Sequence, residues 1–169
     1  DFRQESIAKN WATAYDFPAI EQKKIIKRTF TREKRPLMQA WALNQRRERF
    51  RDPRVREAIN LCFDFEWTNA NLFYSTYERS QSNFNGSDFQ AVGLPTPDEM
   101  KVLERYHGKI PDAAFGEVSL MPVSDGSGRD RKQFSRAIEL MHAAGFERKN
   151  GQFHGKSGEK FSLEILSNS

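Results

Sequence analysis

The sequence predicts an α/β fold, a mixed sheet flanked by helices, and three observations point there. Met38–Leu43 is largely apolar on both faces, as an interior strand requires. Asp52-Pro53 opens an amphipathic run directly after a basic turn. Near the end of the chain, Asn150-Gly151 is followed by the alternating residues Phe161, Leu163 and Ile165. Strands interleaved with helical runs are covered most simply by laying the helices on the sheet.

In chain order, Ser6 is placed to cap a short helix through Ala14, with Ile7 and Trp11 on one side. Lys24–Phe30 alternates as an edge strand whose lysines discourage pairing with another chain. In the interior strand, Met38, Ala40, Ala42 and Asn44 share one face, and Gln39, Trp41 and Leu43 the other. Residues 45–51 are too charged to be buried. Asp52 can accept from free amides of the next helical turn, and Pro53 fills the first helical position, where its missing N–H costs nothing. Val55, Ala58, Ile59, Cys62 and Phe63 form that helix's apolar stripe, with Cys62 a small core residue.

Glu66 or Thr68 restarts a helix through Tyr74, and residues 75–92 read as a loop in which Phe84 and Phe89 fold back over something apolar. Thr96-Pro97-Asp98-Glu99 is a capping box, with Met100, Leu103 and Tyr106 on the buried side and Gly108 at the end; residues 111–115 add a further turn. A helix over 130–144 buries Phe134, Ala137, Ile138, Met141 and Ala144, and Gly145 suits the left-handed position after it. Asn150-Gly151 turns a hairpin, and Phe161–Leu166 forms a last strand whose edge is open to a second copy of the chain.

The 27 Lys and Arg against 23 Asp and Glu give a net charge of +4. The surplus lies in two clusters: Lys23, Lys24, Lys27, Arg28, Arg32, Lys34 and Arg35, then Arg46, Arg47, Arg49, Arg51, Arg54 and Arg56. With Trp41, Phe50 and Trp67 nearby, a basic nucleic-acid-binding module is the alternative reading. Against it, Glu21, Glu33, Glu48 and Glu57 interrupt the clusters and neither contains a recognition motif. Residues 122–128 lack the Gly-Lys-Ser/Thr of a phosphate loop, the glycine spacing of a dinucleotide site and the carboxylate series of a calcium loop. No nucleophile with its base, and no metal-ligand cluster, stands at diagnostic spacing, so neither enzyme chemistry nor a cofactor is expected. His107, His142 and His154 read as surface residues, and no apolar run reaches the roughly 20 residues of a membrane span.

The set Asn44, Phe50, Asp52, Arg54, Val55, Arg56, Glu57, Ala58 and Ile59 resembles the family 5 extracellular solute-binding proteins, the periplasmic oligopeptide- and dipeptide-binding receptors of bacterial ABC importers. In that family a strand ends in Asn, a turn ends in Phe-x-Asp-x-Arg-Val-Arg, and the helix continues Glu/Gln-Ala-Ile/Leu. Asp1-Phe2-Arg3-Gln4-Glu5, Asn10-Trp11-Ala12-Thr13, Phe65-Glu66-Trp67-Thr68-Asn69, Leu72-Phe73-Tyr74, Gly93-Leu94-Pro95 and Pro122–Gly128 extend the likeness, which looks closest to the Yej-type branch.

The resemblance implies one partial domain over residues 1–169, part of the second lobe of a type II periplasmic-binding fold, starting near the hinge and cut short after the last strand. It further implies capture of a peptide between two lobes, delivery to an inner-membrane permease, a periplasmic location, and no catalysis or nucleic acid. Arg3 and Glu5 are then expected beside the hinge, as partners of peptide termini or as a hinge ion pair. Trp41 and Asn44 are expected on or ending the sheet strand. Tyr74, with Tyr77 and Asn83, is expected near the cleft.

Overall fold

The computed structural model of the protein describes residues 1–30 and 38–167, so Arg32, Glu33, Lys34 and Arg35 of the first basic cluster lie outside the described residues. Its helices are α1 (Ala8–Thr13), α2 (Pro18–Glu21), α3 (Pro53–Leu61), α4 (Phe65–Leu72), α5 (Pro97–Leu103) and α6 (Arg131–Ala143). Strands β1 (Glu147–Lys149) and β2 (Gln152–His154) complete the regular elements. The chain divides into two compact units, the first of Asp1–Ala40 with Thr76–Met121 and the second of Trp41–Ser75 with Pro122–Ser169.

The core lies in the second unit. Val55 and Ala58 of α3 pack with Ala137, Leu140 and Met141 of α6 and with Phe50 from the single turn of 3-10 helix before α3. Asp52 starts α3 as expected, its side chain accepting from the Arg54 amide at 2.9 Å with Pro53 at the first position. The helix ends at Leu61, which moves Cys62 and Phe63 off the stripe, and both are exposed. On α6 the buried row is Gln133, Ala137, Leu140 and Met141, whereas Phe134 remains 37% exposed. The expected stripe was therefore rotated: Leu140 belongs to it and Phe134 lies at its margin.

Beyond α6 the hairpin forms as the Asn-Gly pair dictates. Both turn residues take positive φ, 52° and 78°, and Glu147, Arg148 and Lys149 pair antiparallel with His154, Phe153 and Gln152. The chain then returns along β2 only briefly, through the His154–Lys160 bridge and a 2.8 Å bond from the Phe161 amide to the Phe153 carbonyl. There Phe161 meets Phe50 and Phe146 edge-on, at 6.3 and 5.3 Å between ring centres, and closes one side of the core.

This two-stranded hairpin is the only sheet among the described residues, so the expected mixed sheet flanked by helices is not seen within them. Residues 24–30, 38–43 and 161–166 form no strand there, so Trp41 and Asn44 neither lie on nor end one, and the proposed open edge at 161–166 is absent. The reason is pairing. Alternation marks a segment that would fit a sheet, but a strand exists only where a neighbour supplies a continuing ladder of amides and carbonyls, and among the described residues only isolated bonds such as Phe161 to Phe153 reach these segments.

The first unit is built differently, with no described residue in the buried class. Local bonds organise it. Ser6 does not cap α1; the carboxylate of Glu5 instead accepts from the amides of Ser6 and Ile7, both at 3.0 Å. The capping box of α5 is complete, with Thr96 Oγ1 accepting from the Glu99 amide and Glu99 accepting from that of Thr96. Phe84 and Phe89 touch edge-on at 6.2 Å but stay 56% and 74% exposed, so the expected apolar cover is not formed by the described residues.

Replacing Leu140 by Ala is expected to cost about 2–5 kcal/mol in urea denaturation, the range for emptying a packed leucine site. Phe134→Ala should cost clearly less, and equal effects would contradict the rotated α6 stripe.

Candidate functional site

In the first unit, Arg3 and Glu5 are brought together, with Arg3 Nη2 3.8 Å from Glu5 Oε2. Glu5 is the organiser here. Its side chain is 9% exposed and accepts from the Tyr15 hydroxyl at 3.1 Å and from Asn10 Nδ2 at 3.5 Å, besides the two amides at the start of α1. The Ile7 amide, resisted by burial and helped by Tyr15, Asn10 and Ser6, holds its carboxyl below the usual glutamate value. Burial, then the bond to Glu5, pushes the Tyr15 phenol up.

Trp11 and Tyr15 stand beside this carboxylate, ring centres 6.0 Å apart and planes at 52°. Lys27 Nζ sits over the Trp11 ring at 4.5 Å and bonds to the Trp11 carbonyl. Sequence reasoning placed Lys27 in a basic cluster and Trp11 on a helix face, but nothing local connects them across sixteen positions.

In the second unit, Asn44 fixes the basic turn, its side chain accepting from the Arg46 amide at 3.1 Å and its carbonyl from the Arg47 amide at 3.0 Å. Much of the second arginine cluster is held by the chain itself. Arg47 pairs with Glu164 at 3.0 Å, Arg49 donates to Ser162 at 2.9 Å, Arg54 clasps Asp52, and Arg56 donates to the carbonyls of Phe50 and Arg51. Trp41 is 77% exposed, and Tyr74 is 38% exposed with a left-handed φ of 53°, followed by Ser75 at 56°.

The same unit contains a polar junction that sequence reasoning passed over. Asp64 caps α4 by accepting from the Trp67 amide at 2.8 Å, and its other oxygen accepts from the Gly128 amide at 2.8 Å. The Ser124 hydroxyl lies in a close contact with Asp64 Oδ1 and 2.7 Å from Glu66 Oε2, which also accepts from the Ser124 amide at 2.8 Å. Asp130 completes the arrangement by accepting from the amides of Asp125, Lys132 and Gln133. Residues 122–130 are thereby fastened between the start of α4 and the start of α6. Trp67 closes over Gly128, where an added Cβ would come within 3.2 Å of the indole, and the φ of 74° there also favours glycine.

These bonds set the ionisation of both acids. Burial pushes the Asp64 carboxyl up, but Ser124 and the amides of Trp67 and Gly128 outweigh it, leaving the group below its ordinary value of 3.8. Asp130 is lowered first by the Gln133 amide, against burial, with further help from the amides of Asp125 and Lys132 and a small opposing push from Asp64. Among the described residues no group of three or more His, Cys, Asp or Glu is arranged to hold a metal ion, and no helix is long and apolar enough to cross a membrane.

The model for the middle region of the bacterial extracellular solute-binding proteins, family 5, matches residues 1–169. The chain belongs to that family. A Brucella melitensis protein provisionally named a binding protein is 41% identical over 160 residues, covering 94% of this chain and 26% of its own length. YejA of Agrobacterium fabrum, named a probable peptide-binding protein, is 36% identical over 169 residues, 98% of this chain and 28% of its own. YepA of the same organism, named a peptidoglycan-binding protein, is 32% identical over 162 residues, 95% of this chain and 26% of its own. This family 5 chain thus spans about a quarter of the length of the relatives it matches. Family 5 proteins have the type II periplasmic-binding fold, with which the helices and hairpin found here are consistent.

Because Asp64 and Asp130 titrate lower in the folded than in the unfolded chain, the unfolded chain takes up protons first on acidification. Their stabilisation is present above the ordinary carboxylate value of 3.8 and is lost as pH falls through the lower folded values. Asp64→Asn should lower stability near neutral pH by about 1–3 kcal/mol. It should also flatten the decline that sets in below about pH 5 and continues through the lower folded value, read as denaturation midpoints. An unchanged acid limb would show that Asp64 is not the group involved.

Proposed function

We propose that this chain is a section of the second lobe of a periplasmic peptide-binding receptor, which holds its cargo between two lobes and hands it unaltered to an ABC permease in the inner membrane. The observation that carries this reading is the family match over residues 1–169, joined to a relative named for peptide binding. The relative named for peptidoglycan binding adds the peptide stems of cell-wall fragments to the candidate cargo. In this reading peptide main chain would pair with cleft-lining backbone, which gives affinity with little dependence on side-chain identity. Closure of the lobes would then favour the liganded state.

Five residues are proposed to act in this role. Arg3 and Glu5 would serve as a hinge ion pair or as partners of peptide termini, and their contact within one cluster supports treating them as a unit. Trp41, with most of its indole exposed, offers a face for stacking, Asn44 positions the turn after it, and Tyr74 stands at the end of the α4 segment. Four of the six arginines of the second cluster, Arg47, Arg49, Arg54 and Arg56, are engaged within the chain, which weakens the alternative of a phosphate-binding surface.

The test is mass spectrometry of what co-purifies with the full-length receptor, followed by calorimetry with the peptides recovered and with cell-wall peptide stems. Bound peptide with weak salt dependence is expected, and Trp41→Ala should weaken binding about tenfold, or about 1.4 kcal/mol. A receptor that retains no peptide but binds labelled DNA, with affinity collapsing as salt rises, would overturn the reading.

A further inference from the structure

The chain contains two Asn-Gly pairs, Asn85-Gly86 and Asn150-Gly151, and the fold treats them differently. Such a pair is chemically special. Glycine puts no side chain beside its own amide nitrogen, so that nitrogen can approach the carboxamide carbon of the asparagine before it. Whether it does so depends on what holds the two groups.

Asn85 and Gly86 are both held. Asn85 Oδ1 accepts from the Gln81 amide at 2.9 Å, and the Gly86 amide donates to Gln90 Oε1 at 2.6 Å. A nitrogen whose proton is committed to an acceptor is a poor nucleophile, and a carboxamide tethered at its oxygen does not turn freely towards it. At the tip of the β1–β2 hairpin neither restraint operates. Asn150 and Gly151 are exposed, and no hydrogen bond from any described residue reaches the Asn150 carboxamide or the Gly151 amide.

We propose that Asn150 is a site of spontaneous covalent modification, deamidation through a cyclic imide, and that Asn85 is protected from it by its hydrogen bonds. The Gly151 amide nitrogen loses its proton to solvent and bonds to Asn150 Cγ. The Cγ–Nδ2 bond breaks, and Nδ2 takes up a proton and leaves as ammonia. Water then opens the imide: cleavage at Cγ gives aspartate, and cleavage at the main-chain carbonyl gives isoaspartate, with the chain running through Cγ. Water is the only co-reactant, and nothing is oxidised or reduced.

The two products have different consequences. Aspartate tolerates positive φ and suits a two-residue turn, so the hairpin persists. Isoaspartate inserts a carbon into the main chain of that turn, which disturbs the register Arg148 to Phe153 and Lys149 to Gln152. Phe153 packs on the core and its carbonyl accepts from the Phe161 amide, so a change at the exposed tip is passed to the cover of the α3–α6 contact.

The experiment incubates the full-length protein in mildly alkaline buffer, once folded and once in urea, then digests it in acid and separates the peptides by mass spectrometry. In the folded protein the peptide containing Asn150 should give way to aspartyl and isoaspartyl forms while that containing Asn85 persists; in urea the two should convert at comparable rates. Conversion should quicken as pH rises, because attack requires the amide nitrogen to lose its proton, and Asn150→Gln should abolish it. The aged protein should unfold at lower urea than fresh protein, whereas Asn150→Asp should unfold with the fresh parent. Asn85 converting as fast as Asn150 in the folded protein, or Asn150 persisting there while it converts in urea, would overturn the assignment. Aged protein rich in isoaspartate that unfolds with Asn150→Asp would overturn the transmission to the core.

Discussion

The contact between α3 and α6 is the constraint on which the second unit depends, because nearly all of its shielded apolar surface is gathered there. Val55 is fully buried and Ala58 nearly so, and the small alanine lets α6 approach closely enough for Ala137, Leu140 and Met141 to close over them. Phe50 is drawn beneath by the tight turn before α3. The aromatic rings of Phe146, Phe153 and Phe161 then have an apolar surface to settle on. Remove that contact and the hairpin has nothing beneath it, since two short strands are not stable alone in water.

The polar junction works beside this core and has a different logic. A serine hydroxyl carries one proton, yet Ser124 faces both Asp64 and Glu66. The repulsion between two acids is relieved by amides aimed at them: those of Trp67 and Gly128 at Asp64, and that of Ser124 at Glu66. The arrangement fixes a loop by backbone donors and favours glycine at Gly128, where φ is positive and an added Cβ would crowd the Trp67 ring.

The parts of this fold that could be read directly from the sequence are those decided within a few residues. Asp52-Pro53, Thr96 with Glu99, and Asn150-Gly151 each contain both partners of the interaction that forms them. Strands at 24–30, 38–43 and 161–166 could not be settled that way, because alternation describes a surface and leaves the pairing partner unspecified. The rotated stripe on α6 has a related cause: three- and four-residue spacings from Ala137 reach Phe134 or Gln133, and Leu140 or Met141, so the pattern alone does not choose among them. The candidate site divides in the same way. Arg3 and Glu5, two apart, lie in contact, whereas Lys27 over Trp11 and Ser124 against Asp64 join positions that are distant in the chain. Glu5 in place of Ser6 at the start of α1 shows that even a local cap can be taken by a longer side chain reaching forward.

The concentration of every buried residue among the described ones in the second unit has a consequence for how the chain breathes. Opening a helix or hairpin there means exposing packed hydrocarbon, so its amides should surrender their protons to solvent slowly and together. The first unit has no such interior among its described residues, and each of its turns can loosen on its own. Greater compliance in that unit is expected from its construction.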